Sequence, residues 1–513
     1  MKTTQLILCL VLLTVVNCLP YSVVSRNNRW GVVSGRRQNA IAWAQWENKM
    51  ASTGWTELTV ETNGEFEDGS QAYGAGYLEG WLAHEEIYNT SLNFRIKDQP
   101  LVPEASQFPS QSLTWMRSQV SQNLDSRYWK HIGLVLQQFD GILAGYNARA
   151  PADRKWLDTD LMAIQLITEL SDINRTKIQA KPDEFDLHCS SLVKLSADGQ
   201  RLFAAHNSWT SFTWMLRVYK HFKLNFEEPS TVSYSSYPGV IPSIDDFFIT
   251  GHNMVVMETT NEVFNDTLFQ YVTPQTVPYW VRIMLATRLA KEGKEWVDLF
   301  SQYNSGTYNN QWIIVDNKKF VPGKGVSPGA LWIAEQIPGY IESGDQTETL
   351  RTTGYWASYN VAYYPYIYNV SGYLTESLRS NKSDSLSHSK CPRAQIFARD
   401  QGKVSTMADM KDIMRYNQYQ SDPLSLGDAC NGIAARCDLN VAENGKRASP
   451  FGAIDAKITE ASLAARQISE AVSGPAWTWQ PPFAWTKRWN SPHHGQPQVY
   501  DFDWQTMTPR LSS

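Results

Sequence analysis

The residues with the most capacity for chemistry lie in one segment, Cys189-Ser-Ser-Leu-Val-Lys-Leu-Ser-Ala-Asp-Gly-Gln-Arg-Leu-Phe-Ala-Ala-His206-Asn207-Ser208-Trp209. Cys189 follows a polar, unpatterned stretch, 174–188, and opens a run that alternates polar and apolar residues. Suppose the backbone were cut between His188 and Cys189. Cys189 would then carry a thiol and a free α-amine on one residue. An α-amine titrates near ~7.7–8 and a thiol at about 8.5, so the amine can take the thiol proton without a separate histidine base. The same thiol could make the cut itself, by attacking the preceding carbonyl and passing through a thioester. The plainer reading is a buried, inert cysteine at a strand start.

Other constellations are missing. The chain has no HExxH, no CxxC pair, no GxSxG elbow and no GxxxxGK phosphate loop. Only His493 and His494 are adjacent among nine histidines, and no cysteine or third histidine stands at ligand spacing from them. Neither a metal nor another cofactor is expected.

The elements that must position Cys189 are legible in part. Asp198-Gly199 is a strong hairpin signal between Ser190–Leu195 and Leu202–Ala205. With that dipeptide at the turn, Ser191 lies opposite His206, and Cys189 stands near the level of His206 to Trp209. Trp129, Ile132, Leu136, Phe139 and Leu143 mark one face of a helix, and a second helical run covers Asp158 to Leu170. A third helix is expected from Pro278 to about Tyr303, with Thr276 as its cap. Short strands follow at Trp312–Val315 and Leu331–Ile337. The order reads as helices first and strands after, which suggests an α+β fold.

Composition sets the compartment and the class. The chain has 513 residues, 12% of them aromatic and only 19% charged, which excludes disorder as a whole-chain description. Acids outnumber bases 51 to 46, so a strongly basic nucleic-acid binder is excluded and no nucleic-acid partner is expected. Residues 1–18 read as a signal peptide, with Lys2 ahead of the apolar run Leu6–Val16, and no later transmembrane segment is expected. Sequons at Asn89, Asn174, Asn265, Asn369 and Asn381 fit glycosylation on a secretory route. Of the four cysteines beyond the leader, Cys430 and Cys437 form a small bridged loop in the simplest reading. Cys391 pairs elsewhere or stays buried. Twenty tryptophans are an excess without a period.

Beyond these readings, LHCSSLVKL and LFAAHNSWTSFTWMLRVYKHF resemble the phospholipase B-like family of lysosomal hydrolases, most closely its type 1 branch. So do SYPGVIPSIDDFFIT, VVMETTNEVFN, LFSQYNSGTYNNQW, AEQIPGYIESGDQTETLR, PRAQIFARDQGKV, MKDIMRYNQYQSDP and VYDFDWQTM, so the resemblance covers most of the mature chain. It implies an N-terminal nucleophile hydrolase with a four-layer αββα core. It also implies cleavage between His188 and Cys189, into a small fragment 19–188 and a large fragment 189–513 that together form one domain. Their masses would be roughly 19 and 36 kDa at about 110 Da per residue. The implied reaction is hydrolysis of an acyl ester or amide of a lipid-like substrate through a cysteinyl thioester, in a lysosomal or secreted protein. Cys189 would be the nucleophile, with its own α-amine as base. His206 would orient the thiol or the amine, and Trp209 would wall the acyl site. Asn261 and Asn304 are candidates for contacting the α-amine or the oxyanion. Arg282, Arg351 and Arg393 are candidates for a head group. The implied partners are the acyl substrate, the two fragments of the precursor and a possible second copy in a homodimer. The competing function is a non-catalytic glycoprotein that binds lipid or carbohydrate.

Overall fold

A computed structural model describes residues 20–27, 29–98, 101–177, 188–380, 384–442 and 446–510. The expected leader, the sequon at Asn381 and most of the stretch before Cys189 lie outside the described residues.

Two sheets organise the chain. Among the described residues the larger has 11 strands. It runs from Tyr340–Asp345 through Leu331–Ile337, Asn310–Asp316, Met254–Thr260, Phe247–Thr250, Ser230–Ser236 and Val218–Leu224. It continues through Trp55–Thr62, Ala42–Lys49 and Tyr21–Arg26 to Arg29–Ser34. The smaller, seven-stranded sheet runs Tyr355–Ser358, His188–Leu195, Leu202–Ser211, Asp455–Glu460, Ser469–Ser473 and Gln505–Met507, with Phe451–Ala453 also on Leu202–Ser211. The sheets meet where Met254–Thr260 packs against His188–Leu195. Helices Asp68–Leu82, Arg127–Arg149 and Tyr279–Leu289 belong with the large sheet, and Pro392–Asp400 and Met407–Met414 with the small one. The architecture is α+β, as expected.

The large sheet crosses the candidate cut. Trp55–Thr62, from before residue 188, pairs in parallel with Val218–Leu224, from after it. Neither part holds the whole large sheet alone, while the small sheet comes entirely from His188 onward.

The hairpin follows the sequence reading. Ser191 stands opposite His206, Cys189 opposite Ser208 and His188 opposite Trp209. Gly199 takes φ +66°, a conformation glycine adopts freely. Asp198 Oδ1 accepts from Gln200 N at 3.0 Å and closes the turn.

Three expectations need correction. The chain opens with four strands, Tyr21–Thr62, before its first long helix, so helices do not come first. Trp55–Thr62 is missed because it is buried on both faces yet carries three buried threonines, Thr56, Thr59 and Thr62, which blur the apolar pattern. The helix expected over 278–303 is two helices, Tyr279–Leu289 and Gly293–Phe300, because Ala290 and Glu292 take extended backbone. Thr276 does not cap it: its hydroxyl donates to Thr273 O at 2.7 Å, and Pro278 holds the cap position. The run from Asp158 is likewise split, into Asp158–Gln165 and Leu170–Arg175.

Helices Asp68–Leu82 and Arg127–Arg149 approach backbone to backbone. A Cβ on Gly76 or Gly80 would lie 2.0 or 2.1 Å from the carbonyl oxygens of Gln138 or Ile142. A Cβ on Gly141 or Gly145 would lie 2.1 Å from those of Tyr73 or Tyr77. Alanine at any of these positions forces the helices apart, although it favours an isolated helix by about 1 kcal/mol. Gly141→Ala is expected to destabilise by about 1–3 kcal/mol in chemical denaturation. Gly133→Ala, on the same helix but facing only a Val120 methyl at 3.0 Å, should cost far less. Equal costs would contradict the close-packing account.

Candidate active site

Cys189 is the second residue of the inner strand His188–Leu195, and 4% of it is exposed. Its backbone N–H donates to Asn360 Oδ1 at 3.0 Å. Its carbonyl accepts from Arg393 Nη1, which also reaches Ser190 Oγ at 3.2 Å. Arg393 Nη2 donates to Asn360 Oδ1 and to Tyr359 O, both at 2.8 Å. Asn360 and Arg393 therefore grip the Cys189 backbone from both ends and each other.

Asn360 is held rigidly for this. It sits just past the strand Tyr355–Ser358 at φ +68°, a region asparagine tolerates better than most residues. Its side-chain amide donates to Thr260 O at 2.8 Å, which leaves Oδ1 for Cys189 and Arg393. Arg393 is the second residue of the helix Pro392–Asp400. Its guanidinium lies 4.2 Å from the centre of the Trp209 ring. Burial lowers the guanidinium to about 10, so it stays a cation at neutral and acid pH.

The thiol faces another group. Cys189 Sγ donates to Glu258 Oε1 at 3.8 Å, and donor atoms of Cys189, His206 and Glu258 lie within 4.8 Å of one another. His206 Nε2 donates to the Glu258 carbonyl at 2.8 Å, which makes Nε2 the protonated nitrogen. Burial, and then the Lys457 cation, push the His206 imidazole well below its ordinary value, so it is neutral. Burial, and then Glu258, push the Cys189 thiol well up, so it holds its proton. A small cation could also reach these three donors. The thiol and the protonated Nε2 would first each have to give up a proton or a hydrogen bond.

Beneath them lies a buried charged group. Lys457 Nζ donates to Ser208 Oγ at 2.6 Å and to both Asp455 oxygens at 2.9 Å. Asp455 Oδ1 accepts from the backbone of Ser208, which stands opposite Cys189. Arg217 lies 2.8 Å from Asp455 and pairs with Asp245. Burial opposes ionisation of Asp455, but Lys457 and Arg217 overcome it and hold the carboxyl below its usual range. Burial lowers Lys457 to about 8.

The structure sorts the other expected residues. Trp209 is buried beside His188, with ring centres 6.4 Å apart. Asn261 and Asn304 are not brought to Cys189. Asn261 Nδ2 donates to Glu335 Oε1 at 3.0 Å, and Asn304 Nδ2 to Ile337 O at 3.1 Å while its Oδ1 receives Gly306 N. Asn304 braces a turn, Asn261 is tied to the buried strand residue Glu335, and the Cys189 nitrogen is met by Asn360 instead. Of the three arginines, only Arg393 reaches the site. Arg282 is buried among Val277 O, Phe300 O, Ser305 and Gln336, and Arg351 is exposed beside Glu348. Cys430 and Cys437 are bridged, while Cys189 and Cys391 are free and buried. Asn369 is exposed, and Asn89, Asn174 and Asn265 are half-buried. The sequence reading passed over Asn360, Glu258 and Asp246. Glu258 carried a usable signal, an acid at the end of the apolar run Met254–Met257 in a buried strand.

A sequence profile described as Phospholipase B matches residues 42–507. The chain belongs to the phospholipase B-like family. It is 39% identical over 95% of its length to phospholipase B-like protein B of Dictyostelium discoideum, 89% of which is covered. It is 38% identical over 92% of its length to phospholipase B-like 1 of Homo sapiens, 88% of which is covered. Protein C of Dictyostelium discoideum matches at 37% over 95% of this chain and 91% of its own length.

Burial gives Glu169 a pH-dependent effect on stability. Glu169 takes the Tyr279 N–H at 3.0 Å and the Thr307 hydroxyl at 2.5 Å, yet burial still raises it from 4.5 to about 7. A raised carboxyl stabilises the fold fully below its unfolded value, and that stability is lost as pH rises through the folded value. Glu169→Gln stays neutral throughout. Relative to the natural chain it should gain roughly 3 kcal/mol between pH 4.5 and pH 8. Parallel stability curves from denaturation at the two pH values would contradict this.

Proposed function

We propose that this protein is an acyl hydrolase of lipid-like substrates whose nucleophile is Cys189, made N-terminal by a cut between His188 and Cys189. The observation that carries the reading is the grip of Asn360 on the nitrogen of Cys189. An ordinary strand cysteine would bond that nitrogen to a neighbouring backbone carbonyl. Here a side-chain carbonyl accepts from it, and after the cut the same oxygen would hold the new α-amine beside its own thiol. The amine would then take the thiol proton, and the thiolate would attack an ester or amide carbonyl to give an acyl thioester that water hydrolyses.

Other features support the same reading. The helices packed on each sheet, and the contact between the two sheets, support reading the fold as a four-layer αββα N-terminal nucleophile hydrolase. The strand pairing across residue 188 would keep the two fragments, 19–188 and 189–513, in one domain. His188 lies against Trp209 and Phe451, so its departure would uncover an aromatic wall for an acyl chain. Arg393, a fixed cation in reach of the Cys189 backbone, would bind an anionic or carbonyl part of the substrate. The relatives' names point to phospholipid deacylation, and the thioester route serves amides equally well. A disulfide and several sequons fit a lysosomal or secreted protein.

The test is a panel of fatty-acyl esters and amides with purified, processed protein. Hydrolysis is expected, with an acyl adduct on the Cys189 peptide after an acid quench, and no loss on adding a chelator. Cys189→Ala should abolish it, and Asn360→Ala should lower kcat by about 10²–10³-fold. Full activity of Cys189→Ala, or chelator-sensitive activity, would overturn the reading.

A further inference from the structure

The proposed reaction leaves one step without a base. Once the chain is cut, the α-amine of Cys189 can deprotonate the thiol. Before the cut that nitrogen is a peptide amide and donates its hydrogen to Asn360, so it cannot accept a proton. His206 is poorly suited, because its Nε2–H is committed to the Glu258 carbonyl. Something else must take the proton when the uncut chain cleaves itself.

The thiol already points at a carboxyl. Cys189 Sγ donates to Glu258 Oε1 at 3.8 Å. Glu258 is fully buried and does not stand alone. The Tyr308 hydroxyl lies 3.2 Å from Glu258 Oε1 and 2.7 Å from Asp246 Oδ2, and the Tyr279 hydroxyl lies 2.5 Å from Asp246 Oδ1. Asp246 is also fully buried. Two like-charged carboxylates cannot both ionise so close together away from water, so the pair holds a proton between them. Burial raises both, Asp246 raises Glu258 further, and the bonds from Tyr279, Tyr308 and Glu258 lower Asp246, so the shared proton rests on Glu258 and the charge on Asp246. No metal or ammonium group is bonded to either carboxyl among the described contacts. The pair is costly to bury and serves no ion-pair role that would explain it.

We propose that the Glu258–Asp246 carboxyl pair is the proton acceptor and donor for self-cleavage between His188 and Cys189. The inference rests on the proposed function above, since it supplies that cut with its base. The pair starts with one proton and one negative charge. Glu258 takes the Sγ proton as it hands its own to Asp246, and Sγ bonds to the His188 carbonyl carbon, whose oxygen takes the negative charge. The C–N bond to Cys189 then breaks, and the pair returns its proton to the leaving nitrogen, which becomes the primary amine. His188 is left as a thioester on Cys189. Water hydrolyses it, giving the His188 carboxyl and the free thiol. No oxidant or cofactor is needed.

The test follows cleavage of the purified full chain by intact mass. Glu258→Gln keeps size and shape but cannot hold the charge, and it should cleave about 10²–10⁴-fold more slowly than the natural chain. Asp246→Asn should slow cleavage as well. Neutral hydroxylamine, which opens thioesters, should not rescue Glu258→Gln, because the block precedes the thioester. Each variant is first shown to unfold cooperatively. If the Gln variant does not, Glu258→Asp takes its place: its carboxyl is retracted from the thiol, and cleavage should be at least tenfold slower. Cleavage of Glu258→Gln or Glu258→Asp at the natural rate, or rescue by hydroxylamine, would overturn the inference and leave the proposed function standing. A natural chain that never yields a fragment starting at Cys189 would overturn both.

Discussion

The hydrogen bond from the Cys189 backbone to the side chain of Asn360 is the constraint around which the site is built. It needs a strand whose second residue turns its N–H to a side chain instead of the ladder. It needs an asparagine at φ +68°, with its amide N–H committed to Thr260 so that only its oxygen is free. It also needs Arg393 at the head of a helix to hold that oxygen and the Cys189 carbonyl together. Three separated parts of the chain thus converge on one residue. Such preorganisation is what a nucleophile requires when its own nitrogen is to serve as the base.

The second constraint is electrostatic. The thiol lies in a fully buried environment with an acid pair on one side and the Lys457–Asp455–Arg217–Asp245 group on the other. Buried charges are tolerated only when paired and hydrogen-bonded. The lysine group meets that condition through Ser208, the strand partner of Cys189. The acid pair meets it by keeping a proton and by taking hydroxyls from Tyr279 and Tyr308. Burial and the acid pair keep the thiol protonated in the uncut chain, while Lys457 pulls the other way.

Much of this was legible in the sequence, and for identifiable reasons. The hairpin register came from one dipeptide, Asp198-Gly199, because a two-residue period fixes every partner once the turn is placed. His206 and Trp209 followed from that register. Asn360 and the role of Arg393 did not, because they reach Cys189 from 171 and 204 residues away, and no local pattern encodes such a contact. Asn261 and Asn304 stand in recognisable blocks, but Asn261 is tied to Glu335 and Asn304 braces a turn. The opening strands were lost because buried threonines masked their apolar faces. The tryptophan excess resolves into packing: Trp55, Trp280, Trp296 and Trp312 are fully buried in the core, and Trp209 lies against His188 and Arg393.

The account stands or falls on the residue at the start of the large fragment. The direct measurement is N-terminal sequencing, with intact mass, of the protein secreted by cells and held at acid pH. The account predicts a fragment beginning Cys-Ser-Ser-Leu-Val-Lys, held without a disulfide to a smaller one ending at His188. A chain that stays whole, or that is cut elsewhere while acyl hydrolysis proceeds, would contradict it.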